Sequence, residues 1–218
     1  MARALDARIA MTPSGETCWQ RVRTLLRTHS VRRGDFLLVS GRRSSVYVDA
    51  KLTTCRAAAM PLIGRLFIDK MIELGWRPAA VGGLSIGADP IVTAVARESL
   101  EYGLNIDSFL VRKEPKKHGL QKYLEGLDQA TGLDVVIVDD VCSTGGSTIT
   151  AIERSREAGL NVLGAICLVD REMGAEQAIR EGLGCPFDRI FRLRDLLEED
   201  EPAGVVPATA SAGVGIDR

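Results

Sequence analysis

Hydrophobic positions along this chain follow helical spacing in some stretches and fall into short continuous runs in others. Trp19, Val22, Leu25 and Leu26 recur at helical spacing, so the sequence predicts an amphipathic helix from Glu16 that ends by Gly34. Leu62, Ile63, Leu66, Phe67, Ile68, Met71 and Leu74 form a wider stripe, which predicts a helix over 60–74 closed by Gly75. Further helices are expected over 88–100, 149–158 and 172–183. Short apolar runs over 78–83, 105–111, 135–138, 161–169 and 188–193 read as strands, and two runs around a polar turn over 35–51 read as a hairpin-like pair. Val135, Val136, Ile137 and Val138 are four consecutive β-branched residues, the pattern of a strand buried on both faces. Strands alternating with helices predict an α/β fold with an open, mostly parallel sheet flanked by helices. Residues 1–15 have only weak periodicity and read as a flexible lead-in. Beyond Glu198 the chain is Pro-, Gly- and Ala-rich without a period, and a disordered tail over 198–218 is expected.

Composition narrows the function classes. At 218 residues the chain is long enough for one well-buried domain with an appendage. With 28 basic and 29 acidic side chains there is no global field to attract nucleic acid or an anionic membrane. Any anion site must therefore be built locally. No apolar run approaches the roughly 20 residues needed to cross a bilayer. The cysteines, Cys18, Cys55, Cys142, Cys167 and Cys185, are odd in number and widely spaced, which argues against a zinc site or disulfide framework and points to a reducing cytoplasm.

The chemistry concentrates where the strand over 135–138 ends. Asp139 and Asp140 are followed by Val141, Cys142 and then Ser143, Thr144, Gly145, Gly146, Ser147 and Thr148. Small residues before a helix supply capping hydroxyls, free N–H groups and glycine's conformational freedom, so the helix start favours a phosphate monoester. The paired acids suit sugar hydroxyls, directly or through hydrated Mg²⁺. No lysine follows Gly145 or Gly146, which excludes a Walker loop, and the glycine spacing excludes a dinucleotide fingerprint. A generic strand-to-helix turn is the plain alternative, but it needs neither the acids nor six small residues. Cys142 invites a nucleophile reading, yet neither histidine adjoins it, and a packed side chain is expected. The segment resembles the 5-phosphoribosyl-1-pyrophosphate (PRPP) loop of type I phosphoribosyltransferases.

One strand earlier, Arg112, Lys113, Lys116, Lys117 and His118 fall within a stretch that carries Pro115 and Gly119 and no periodicity. Alone it would read as a solvated loop. Placed before a phosphate cradle, it supplies a local cationic field. Arg112-Lys113-Glu114-Pro115-Lys116-Lys117-His118-Gly119 resembles the catalytic loop of orotate phosphoribosyltransferases, and Phe36, Ser40, Gly41, Ser44, Tyr47, Asp49 and Lys51 resemble the hood of the same family.

The resemblance implies a small hood within residues 16–50 over a phosphoribosyltransferase core at 51–197. It implies that Lys113, Lys116 and His118, joined by Arg112, meet pyrophosphate from a mobile lid, often that of a neighbouring subunit in a homodimer with shared sites, with a hinge at Glu125-Gly126. Lys117 stands where the family often has an acid. Asp139 and Asp140 would hold the ribose, and Ser143, Thr144, Gly145, Gly146 and Ser147 the 5′-phosphate. Ser143 and Arg171 would bind orotate, with Ser40, Gly41, Tyr47 and Lys51 near the base. Lys116, His118, Asp139 and Asp140 are the expected catalytic residues. Mg²⁺ would sit mainly on ligand oxygens and waters. Gly87 and Val39 replace lysines of some relatives, so those contacts are not carried over. The expected activity is phosphoribosyl transfer from PRPP to orotate in pyrimidine biosynthesis; transfer to another base, or a non-catalytic PRPP sensor, are the rivals.

Overall fold

The computed structural model describes residues 16–37, 43–115, 123–128 and 131–198. Six strands form one sheet in the order β5-β4-β3-β6-β7-β8, comprising β3 (Ala80–Leu84), β4 (Asp107–Val111), β5 (Leu124–Glu125), β6 (Asp134–Cys142), β7 (Asn161–Asp170) and β8 (Phe187–Arg192). All neighbours are parallel except β4 and β5.

Side chains along β6 alternate between two cores, as the strand period of two requires. Val136 and Val138 join α1 (Cys18–His29), α3 (Met60–Glu73) and α4 (Asp89–Ser99) through Leu26, Phe67, Met71, Ile91 and Val95. Val135 and Ile137 face α5 (Gly146–Glu157) and α6 (Ala175–Leu183) through Ala151, Ile152 and Ile179. Both faces of the sheet are covered, which explains why β6 reads as an unbroken apolar run rather than an alternating one.

From β3 the chain steps outward to β4, but from β6 it steps the other way to β7 and β8. The loops leaving β3 and β6 therefore diverge and open a crevice at the carboxyl ends of these adjacent strands. A separate antiparallel pair, β1 (Val31–Leu37) and β2 (Arg43–Val48), pairs Val31 with Val48, and α2 (Lys51–Thr54) follows it.

Several expectations need correction. Helix α1 ends at His29, before Gly34 as expected, but β1 already starts at Val31, ahead of residue 35 where the hairpin-like pair was expected to begin. The stop is tertiary: Ser30 Oγ lies 2.6 Å from Thr53 Oγ1, and its carbonyl accepts from Asp49 N–H at 3.0 Å. Asp139 and Asp140 lie inside β6 rather than beyond it. Helix α5 starts at Gly146, three residues earlier than expected, and α6 starts at Ala175 instead of residue 172. The short elements α2, β5 and α7 (Leu193–Leu197) were not expected. The lead-in over 1–15 and the tail from residue 199 lie outside the described residues.

Candidate active site

The helix start at the crevice is built on glycine. Gly145 is the N-cap of α5 at φ 86°, no side chain caps the helix, and no acid occupies its first turn. This corrects the expectation of a hydroxyl cap. A left-handed N-cap favours glycine, and a Cβ there would also meet Ala175 at 3.3 Å. The uncapped turn leaves backbone N–H groups and the positive end of the helix for an anion. Thr144, Gly146 and Ser147 are exposed around it.

The two acids of β6 have different neighbours. Asp139 is buried; its Oδ2 accepts from Thr148 Oγ1 at 2.7 Å and its Oδ1 from Asp140 N–H at 3.0 Å. Burial pushes its carboxyl up to about 7, with the adjacent Asp140 charge adding to the rise and the Thr148 hydrogen bond opposing it. Asp140 Oδ2 lies 3.5 Å from Lys51 Nζ, which also pairs with Asp49 Oδ1 at 2.9 Å. Gly87 borders the same carboxylate, and a Cβ there would come within 2.5 Å of Asp140 Oδ1. A lysine at position 87 would thus have to move the carboxylate, while Lys51 already brings an ammonium to Asp140. The preceding Ser85–Ile86 peptide is cis.

Across the crevice, Arg171 lies in the turn after β7. Its N–H donates to the Cys142 carbonyl at 2.8 Å, which brings Ser143 beside this turn. Nη2 donates to Ser44 Oγ and to the Val46 carbonyl of β2, both at 3.1 Å. Nε is buried without a hydrogen-bond partner among the described residues. Desolvation lowers the Arg171 pKa, against the influence of Tyr47. A half-buried guanidinium with an unmet donor suits a planar carboxylate. Tyr47 packs on Phe36 at 5.5 Å between ring centroids.

Cys142 is buried, with Sγ 2.9 Å from Thr148 Oγ1. Although a hydrogen bond with Cys167 pulls its pKa down, burial and Asp139 leave the thiol above its ordinary value. This is a packed thiol, not an activated nucleophile.

Of the basic segment, Arg112 and Lys113 are described and exposed. Arg112 Nη1 lies 3.1 Å from Glu125 Oε1. Lys116, Lys117 and His118 lie outside the described residues, as do Val39, Ser40 and Gly41.

A profile of the phosphoribosyl transferase domain matches residues 59–181. An orotate phosphoribosyltransferase from Synechocystis is 41% identical over 79% of this chain and 85% of its own length. One from Corynebacterium glutamicum is also 41% identical, over 79% and 90%. This chain belongs to the orotate phosphoribosyltransferase family. A crystal structure of the Mycobacterium tuberculosis orotate phosphoribosyltransferase in complex with PRPP has a TM-score of 0.70 and 35% identity, covering 83% of this chain and 99% of that one. An adenine phosphoribosyltransferase from Leishmania tarentolae, 16% identical with a TM-score of 0.56 over 80% of this chain and 88% of that one, shares the fold alone.

The domain match begins at residue 59, so β1, β2 and Lys51 fall outside it. In this member of the orotate phosphoribosyltransferase family, the structure nevertheless brings Lys51 to Asp140, and Ser44 and Val46 to Arg171. Sequence reading had placed Lys51 only near the base. The signal available was its sequence spacing from Tyr47 and Asp49, which says nothing of Asp140, 89 residues further along the chain.

Proposed function

We propose that the chain transfers the 5-phosphoribosyl group of PRPP to N1 of orotate, releasing pyrophosphate and orotidine 5′-monophosphate. The observation that carries this reading is the pairing, in one crevice, of an uncapped helix N-terminus with a half-buried arginine whose buried Nε lacks a hydrogen-bond partner among the described residues. One takes a phosphate monoester and the other a carboxylate, and the two substrates carry those groups. Backbone amides of Ser143, Thr144, Gly145, Gly146 and Ser147, with the Thr144 and Ser147 hydroxyls, grip the 5′-phosphate. Arg171 and Ser143 hold orotate beneath β2.

Asp140 faces the ribose hydroxyls, and Asp139 supports the loop through its hydrogen bond from Thr148. As the C1–O bond to pyrophosphate opens, positive charge grows on the ribosyl group and negative charge on the departing pyrophosphate. The carboxylates stabilise the first. Lys113, with Lys116 and His118 of the same segment and Arg112 at its base, stabilises the second. The segment serves the neighbouring subunit's site in a homodimer.

Among the described residues no cluster of three or more His, Cys, Asp or Glu is arranged for a metal. Hydrated Mg²⁺ needs only one or two carboxylates beside substrate oxygens, and Asp140, whose Oδ2 lies toward Lys51 rather than locked into the loop as Asp139 is, would fit that demand. When bound on pyrophosphate and ribose oxygens it would neutralise charge on the leaving group. The protein works in the cytoplasm, where reducing conditions keep thiols such as those of Cys18, Cys55, Cys142, Cys167 and Cys185 unpaired. No helix among the described residues is long and apolar enough to cross a membrane.

The test is the fall in orotate absorbance on adding PRPP and Mg²⁺ to the purified chain. Turnover of orotate, with none of a purine base, is expected. Turnover of a purine base alone would overturn the base assignment, and PRPP binding without turnover of any base would make the protein a sensor.

A further inference from the structure

The basic segment is described only at its two ends, and those ends form a small built structure. Val111 pairs with Leu124 and Leu110 with Glu125. Arg112 N–H donates to the Tyr123 carbonyl at 2.8 Å, and the Arg112 guanidinium meets Glu125 at 3.1 Å. A strand of two residues offers little stability of its own.

Helix α5 supplies what the short pairing lacks. The Arg154 guanidinium lies over the Tyr123 ring with Cζ 4.1 Å from the centroid, and its Nη1 donates to the Arg112 carbonyl. Its face thus holds the residue that closes the segment, and its edge holds the residue that opens it. A guanidinium can do both because its N–H groups lie in a plane whose face is free to stack; an ammonium has no such face. Arg154 stands eight residues beyond Gly146, so about 12 Å of helix separates this contact from the phosphate cradle.

We propose that Arg154 is a positioning residue for the reaction: it ties both ends of the basic segment to the helix whose first turn receives the 5′-phosphate. It thereby fixes the base from which Arg112 and Lys113 reach the departing pyrophosphate in the neighbouring subunit's site. The inference rests on the proposed pyrophosphate role of that segment. Fixing Arg112 and Tyr123 removes conformations in which Lys113 is misplaced. Its effect belongs to the step in which charge develops, not to the ground-state grip on the base.

The experiment uses the full chain with Arg154→Ala, Arg154→Lys, Tyr123→Ala, Tyr123→Phe and the double alanine variant. Steady-state kinetics is paired with tryptic digestion at Lys116, Lys117 and Lys122 without substrates. Arg154→Ala should lower kcat about tenfold, leave KM for orotate within about twofold, and speed cleavage of the segment. Tyr123→Ala should show the same pattern at smaller size, because the Arg154 bond to the Arg112 carbonyl survives in it; Tyr123→Phe should behave as the parent, and Arg154→Lys should fall between the parent and Arg154→Ala. The double variant should be no worse than Arg154→Ala, because Arg154→Ala already removes the contact that Tyr123→Ala removes. Unchanged cleavage in Arg154→Ala overturns the inference, as do additive losses or a loss confined to KM for orotate. If Arg154→Ala does not fold, Tyr123→Ala carries the same test without altering the helix. A parent protein that cleaves slowly, with fast cleavage in Arg154→Ala but no orotate turnover in either, sinks the proposed activity and leaves the tether standing.

Discussion

The proposed phosphate cradle and the proposed base site lie in the same crevice but are made in different ways. The cradle is one continuous stretch, from β6 through Gly145 into α5, and its geometry is local: a glycine in the left-handed region starts a helix that no described side chain caps. The base site is an assembly. Arg171 after β7 is held by Ser44 and Val46 of β2, more than a hundred residues earlier in the chain. Continuity makes a site robust and generic, since any ribose phosphate satisfies it. Assembly makes a site selective, since it exists only when distant elements meet.

Three perturbations sharpen this contrast, beginning with the largest. Arg171→Ala should lower kcat/KM for orotate by a factor on the order of 10² to 10³ while changing KM for PRPP no more than about threefold. Equal losses toward both substrates would show that the two halves of the crevice are not separable. Gly145→Val should do the reverse, lowering kcat/KM for PRPP on the order of 10²-fold, because a branched side chain resists φ 86° and its Cβ meets Ala175. Orotate affinity, measured by direct titration, should stay near that of the parent chain.

The smallest effect concerns stability. Burial raises the Asp139 carboxyl from 3.8 to about 7, so between those values the folded protein holds a proton that the unfolded chain has released. Stability from this group is full below the unfolded pKa and is lost as pH rises through the folded one. In Asp139→Asn the decline in apo-protein stability from about pH 5 to about pH 7.5 should be shallower by on the order of 1 kcal/mol. Urea denaturation at the two values checks it, and parallel declines would mean that the folded-state pKa is not raised.

Legibility followed the range of the interactions. The stripe from Leu62 to Leu74 located α3 to within a residue of its end, because a helix with one broad apolar face declares its own period. Four β-branched residues located the middle of β6, but not its continuation through the two acids to Cys142. That extension is held by pairing with β7, where Val141 meets Val169 and Cys142 meets Asp170. Strand β5 is two residues long, shorter than any pattern needs to show itself. Helix α7 docks on α1, where Arg23 reaches the Glu198 carbonyl at 2.8 Å, a contact spanning most of the chain.

The site divides in the same way. The run from Asp139 to Thr148 and the cluster from Arg112 to His118 could be singled out as candidates in the sequence, since residue type and order suffice where neighbours in space are neighbours in the chain. Arg171, too, could be named from its motif. What only the tertiary structure decided is which groups face each other: Lys51 against Asp140, Gly87 leaving room for that carboxylate, Ser44 and Val46 orienting Arg171, and Arg154 spanning the ends of the basic segment. Those distances depend on how the sheet and its helices close around two cores, and no local pattern encodes them.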